Sequence, residues 1–180
     1  MIRYLVLRLL IVFCTIMFIK TFVDAMPGYG IKSWWKKLAL NVLLNDNVSK
    51  ISVVEAHAKK NSVLFLDTRS NEEYKVSHIE QARFVGYKDF NLSKISDIPK
   101  DQPVVLYCAV GKRSDIIFQQ LIDAGFTNVR NLYGGIFEWV NQGYEIVNAE
   151  NAPTNKIHAY NRLFGFWVQK GRKVYSYSGR

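Results

Sequence analysis

Cys108 closes the apolar run Val104-Val-Leu-Tyr107, and Gly111, Lys112, Arg113 and Ser114 follow it within six residues. A thiol attacks only as its thiolate, which neighbouring cations and the N–H groups of a helix N-terminus favour. The segment Cys108-Ala-Val-Gly-Lys-Arg113 has the length of a short loop between a strand end and a helix opened by Ser114. Peptide N–H groups in such a loop converge as an anion nest, and the helix dipole adds positive potential. Ala109 and Val110 leave the mouth of the loop apolar, while Gly111 permits dihedrals that other residues avoid. Lys112 and Arg113 would attract an anionic substrate, Arg113 with bidentate geometry. A free cysteine is more often a small buried hydrophobe, but a glycine, two cations and a helix start so close by favour chemistry. Asp67 and Arg69, at the end of a second apolar run, are assigned supporting roles, either bracing the loop or pairing with each other at the surface.

Around these residues strands and helices alternate. Val63–Leu66 and Pro103–Tyr107 are continuous apolar runs, expected for strands buried on both faces. Shorter strands are expected at 51–53, 82–85 and 129–133. Helices are expected at 54–60, after the capping pattern Ser70-Asn-Glu-Glu73, over 114–124 with Gly125 beyond its end, and over 136–142 closed by Gly143. The alternation implies an α/β domain with a mainly parallel sheet flanked by helices, whose strand carboxyl ends are where ligands bind.

Cys108-Ala-Val-Gly-Lys-Arg113-Ser114 resembles the C-x-x-x-x-R-[ST] loop of single-domain rhodanese-like sulfurtransferases. Three further marks follow the family's order: Leu66-Asp-Thr-Arg69, then Tyr74 with His78-Ile79, then Leu132-Tyr-Gly-Gly-Ile-Phe-Glu-Trp139. The resemblance covers 50–148 and implies a rhodanese-like fold and a two-step reaction. Cys108 would take a sulfane sulfur from a donor such as thiosulfate, hold it as a persulfide, and pass it to a thiol acceptor, or to cyanide in the test tube. Arg113 would brace the loop or the donor's anionic end, and a protein could serve as the acceptor. Ser77 stands where the family often has glycine, and Gln81-Ala-Arg-Phe84 where it often has G-A-x-N, so that turn is expected to differ. His78 is expected to be structural, Gly134 and Gly135 to make a tight turn near the loop, and Trp139 to pack in the core. A phosphatase or arsenate reductase loop has one residue more between cysteine and arginine. A rhodanese-like interaction or delivery module without turnover is the other alternative.

The remaining segments bear on location. Arg3 and Arg8 precede an eleven-residue apolar run, Leu9–Ile19, followed by Lys20 and Val23-Asp-Ala25. These are the parts of a secretory signal, with an uncleaved anchor as the alternative; the run is short against the ~20 residues that span a bilayer. An exported, periplasmic or outward-facing membrane-anchored protein is expected. Cys14 lies in that segment, so a processed chain would keep Cys108 alone, and no disulfide is expected. Neither a metal nor a cofactor is expected, because there is no C-x-x-C and His57, His78 and His158 are far apart. The net charge is +9, and residues 153–180 contribute Lys156, Arg162, Lys170, Arg172, Lys173 and Arg180 with no acid. In an exported protein such a tail suits a membrane or an acidic partner rather than nucleic acid. The tail also carries His158, Tyr160, Phe164, Phe166, Trp167, Tyr175 and Tyr177, expected to wrap back over the domain. The divisions are an export segment (1–25), a connector (26–49) broken at Pro27, Gly28 and Gly30, the rhodanese domain (50–148) and a basic aromatic extension (149–180); the connector holds a short amphipathic helix whose apolar face of Trp34, Leu38 and Val42 is expected to pack on the domain, with a membrane interface for Trp34 and Trp35 as the alternative.

Overall fold

The structure, a computed structural model, describes residues 2–25, 31 and 33–176. The structure-breaking residues Pro27, Gly28 and Gly30, and the tail residues Tyr177 and Arg180, lie outside the described residues. Five parallel strands form the main sheet in the order β1-β5-β4-β2-β3. They are β1 (Lys50–Ile51), β2 (Leu64–Asp67), β3 (Arg83–Phe84), β4 (Val104–Tyr107) and β5 (Val129–Leu132). Helices α3 (Val53–Ala58), α4 (Asn71–Val76), α5 (Lys112–Asp123) and α6 (Gly135–Gln142) connect and cover them.

Alternation along the central strands explains the two-sided core. Val105 and Tyr107 of β4 face one apolar cluster with Phe65, Ile136 and Trp139, while Val104 and Leu106 face another with Leu66, Ile117 and Leu121. Burial on both faces is what a parallel sheet between helices requires. Trp139 lies in the first cluster and donates its indole N–H to Glu145 O at 2.9 Å. His78 is buried, stacks on Tyr74 and bonds the Tyr74 carbonyl through Nδ1 at 3.0 Å, which is a structural role. Ser77 has φ −170°, extended backbone that any residue adopts, so the family's glycine is dispensable there. Gln81, by contrast, keeps the left-handed turn with φ +62°.

The flanking segments join the same core. Helix α1 (Ile2–Ala25) carries apolar side chains that are exposed, including Leu9, Phe13 and Phe18; among the described residues no helix is long and apolar enough to cross a membrane. Helix α2 (Trp34–Leu43) was expected to bury the face of Trp34, Leu38 and Val42. It turns Trp34 and Val42 outward and buries Lys36, Lys37 and Leu40 instead. The reason is that both ammonium groups find carbonyls, Lys36 that of Trp167 at 3.0 Å and Lys37 that of Asp24 at 2.9 Å, so their stems can pack. Strands β6 (Ile146–Val147) and β7 (Pro153–Thr154) pair antiparallel. Strands β8 (Lys156–His158) and β9 (Arg172–Val174) pair in parallel and carry the extension back over the domain, with Ile157, Trp167 and Val168 in its core. Tyr160, Phe166 and Tyr175 remain about half exposed.

Candidate active site

Cys108 follows β4 directly, and Gly111 rather than Ser114 precedes the helix: α5 begins at Lys112, two residues earlier than the sequence suggests. Gly111 caps it with φ +111°, and a Cβ there would press on Leu44. Ser114 therefore lies inside the first turn. Its hydroxyl is 2.9 Å from Gly111 O and 2.8 Å from Asn131 Oδ1, sharing one proton between them.

The loop is oriented through its carbonyls. Those of Cys108 and Ala109 accept the backbone N–H groups of Ile136 (2.9 Å) and Phe137 (3.1 Å) at the start of α6, and that of Gly111 accepts Asn131 Nδ2 at 2.9 Å. In a trans peptide the N–H points opposite to its carbonyl. The N–H groups of Ala109, Val110 and Lys112 are thus turned away from those partners, as an anion nest requires. The Gly111 N–H donates to Cys108 Sγ at 3.2 Å. Gly135 makes the close approach of α6 feasible: with φ +58°, a Cβ on it would fall 2.5 Å from Ala109 O and collide with Cys108 O as well.

Arg113 forms a bidentate pair with Glu73, Nη1 to Oε2 at 2.7 Å and Nη2 to Oε1 at 2.8 Å. Burial works to lower the Arg113 pKa, but Glu73 and the Cys108 sulfur beside it raise it overall, which keeps a permanent cation next to the thiol. The Glu73 Oε2 atom also accepts the Ser70 N–H at 3.1 Å, so the capping box of α4 holds the carboxylate in place. Burial works to raise the Glu73 pKa, but the Arg113 bonds and the Arg69 charge pull it down to about 2. A depressed carboxylate contributes stability above its unfolded pKa, here 4.5, and loses it as pH falls through the folded value. Acid titration of thermal stability is expected to show a loss of about 3 kcal/mol between pH 5 and 2 that is absent in Glu73→Gln.

Asp67 and Arg69 are not a surface pair. Both are fully buried, with Arg69 Nη2 2.7 Å from Asp67 Oδ2 and also bonding the Ser77 carbonyl. They fix the β2 end beside β4, with the Arg69 guanidinium 5.7 Å from the centre of the Tyr107 ring, the residue before Cys108. Lys112 is exposed and lines an apolar groove with Val42, Leu163 and Phe166, away from the cavity that Arg113 lines. Glu73 and Asn131 were not read as site residues. The signal for Asn131 was a polar residue in the middle of a buried strand; Glu73 was legible only as a cap, because its partner is 40 positions away.

A parallel sheet whose strand-end thiol sits in a loop of outward-tied carbonyls, with a fixed arginine beside it, defines an α/β protein built around a cysteine loop. The pattern of the rhodanese-like domain family matches residues 51–142, just over half of the chain, and the chain belongs to that family. A sulfurtransferase of Allochromatium vinosum is 32% identical over 105 residues, covering 58% of this chain and 97% of that protein. A tRNA uridine(34) hydroxylase of Chlamydia felis is 34% identical over 112 residues, 57% of this chain; the chain spans only 34% of that longer protein. Among solved structures, a rhodanese-like domain from Anabaena sp. gives a TM-score of 0.52 at 18% identity, covering 73% of this chain and 92% of that one. A thiosulfate sulfurtransferase from Pseudomonas aeruginosa gives 0.52 at 19% identity, covering 79% of this chain and 24% of that one. At these identities the structures speak to the fold alone.

Proposed function

We propose that the protein is an exported sulfurtransferase that carries sulfane sulfur on Cys108. The Cys108 thiolate attacks the outer sulfur of thiosulfate, a sulfur–sulfur bond forms at Sγ, and sulfite leaves with the electron pair of the bond that breaks. An acceptor thiolate then attacks the outer persulfide sulfur and returns Cys108 as thiolate. The observation that carries this reading is the Gly111 N–H on Sγ within a loop whose carbonyls are tied away, because such a cradle stabilises thiolate and persulfide alike. Arg113 adds a fixed positive charge. Cys108 is only 1% exposed, so transfer requires the loop or its surroundings to open as substrate enters.

Intact mass after incubation with thiosulfate tests the reading. A gain of one sulfur atom, removed by cyanide, is expected. No gain from thiosulfate with a reduced Cys108 would remove it as donor, and a blank with other persulfide donors would leave an interaction module.

The location is proposed on the same footing. The exposed apolar side chains of α1 suit a lipid or translocation environment better than water. N-terminal sequencing of the protein recovered from cell fractions is expected to begin after Ala25 in a soluble exported fraction. Recovery of Met1 in the membrane pellet would instead establish an anchor, and Met1 in the cytosol would overturn export.

A further inference from the structure

The C-terminal extension, which lies beyond the family's matched residues, roofs a cavity of about 640 Å³ beside Arg113. The domain contributes Arg69, Glu73, Phe84 and Tyr87 to its walls, and the extension contributes His158, Tyr160 and Tyr175. The Tyr160 ring lies 5.1 Å from the Arg113 guanidinium carbon, which links the cavity to the residue next to Cys108.

Two buried polar atoms on these side chains have no hydrogen-bond partner: Arg69 Nη1 and His158 Nε2. Arg69 is fully buried and His158 is 6% exposed. Both atoms are donors. Arginine offers nothing else, and Nε2 carries the proton of neutral His158 because Nδ1 accepts the Tyr160 N–H at 3.1 Å. The Tyr175 backbone carbonyl is near the ring without making a bond that meets hydrogen-bond geometry. Buried donors left unmatched are costly, so this pair asks for an acceptor from outside the chain. Three cations on the lining, Arg69, Lys88 and Arg113, face three carboxylates, Glu72, Glu73 and Asp89. That balance leaves no net positive charge to hold a dianion, so an anion here relies on the hydrogen-bond donors. The aromatic walls and the volume suit a small organic molecule.

We infer that this cavity binds a small organic monoanion, a sulfonate or carboxylate on an aromatic body, through Arg69 Nη1 and His158 Nε2. The body packs against the Tyr160 and Tyr175 rings. Its use for presenting a sulfur donor or acceptor to Cys108 rests on the sulfurtransferase reading; the binding does not.

Calorimetric titration of the full chain with benzenesulfonate tests it. Saturable binding is expected, equal in Cys108→Ser, with inorganic sulfate roughly tenfold weaker or worse. His158→Phe should weaken benzenesulfonate by roughly tenfold or more, and His158→Gln, which retains an N–H donor, should recover most of that loss. The His158 Nε2–H resonance should move on binding in the wild type. If His158→Phe does not fold, Tyr160→Ala, at a half-exposed position, must weaken binding instead. Absence of saturable binding, unchanged affinity in the folded variant, or sulfate binding as tightly as benzenesulfonate would each overturn the inference. Persulfide formation without benzenesulfonate binding would sink this site alone. Binding without persulfide formation would sink the sulfur chemistry alone.

Discussion

Cys108→Ser is expected to give a folded protein that takes up no sulfur from thiosulfate and turns it over at least about 10⁴-fold more slowly. Replacing sulfur by oxygen changes the buried side chain by one atom, and none of the bonds that hold the loop involves Sγ apart from the Gly111 N–H. Thermal stability should therefore stay within about 1 kcal/mol of wild type. An alcohol does not ionise near neutral pH and cannot form a persulfide, so the cradle remains and the nucleophile is lost. Paired thermal melts and intact masses decide the matter. Loss of fold together with activity would make Cys108 a packing residue, and sulfur uptake by the serine variant would place the chemistry elsewhere.

Gly135→Ala should do the most damage without touching a reacting atom. Alanine at φ +58° costs about 1–2 kcal/mol on backbone grounds alone. The added methyl also meets the backbone carbonyls of Cys108 and Ala109, which must retreat and lengthen their bonds to Ile136 and Phe137. Overpacking of that kind adds about 1–3 kcal/mol, so a total near 3 kcal/mol or more is expected. Gly143→Ala is the matched control. It has φ +88°, and its Cβ would meet only the flexible end of Lys170 at 3.3 Å. It should lose stability through the backbone and retain sulfur transfer. Measured at a temperature where both variants remain folded, Gly135→Ala should be inactive and Gly143→Ala active. Equal activity would mean that the seating of the loop on α6 does not matter for transfer.

The strand-loop-helix around Cys108 was legible because its cues are local. An apolar run, a glycine and a cluster of polar residues mark a strand end and a helix start within a dozen positions. The buried strands β2 and β4 were legible for the same reason, as was the capping box of α4. Misreadings arose where a side chain's partner is distant. Helix α2 reads as amphipathic about Trp34, Leu38 and Val42, yet Lys36 reverses that choice by bonding a carbonyl 131 positions away. Asp67 and Arg69 read as a brace for the loop or a surface pair, and the surface location fails because nothing local reveals the layers that bury them.

The parallel α/β class, the thiol at a strand end and the cations that follow it can be read along the chain, since these depend on apolar periodicity and on sequence neighbours. Which groups complete the site depends on the folded molecule. Glu73 comes to Arg113 across 40 residues, Asn131 ties the loop from β5, α6 fixes its carbonyls, and the extension brings His158 and Tyr160 to its side. Hydrogen bonds and ion pairs depend on distance and angle in space, so a pattern along the chain contains no term for them until the sheet and its helices have brought the partners together.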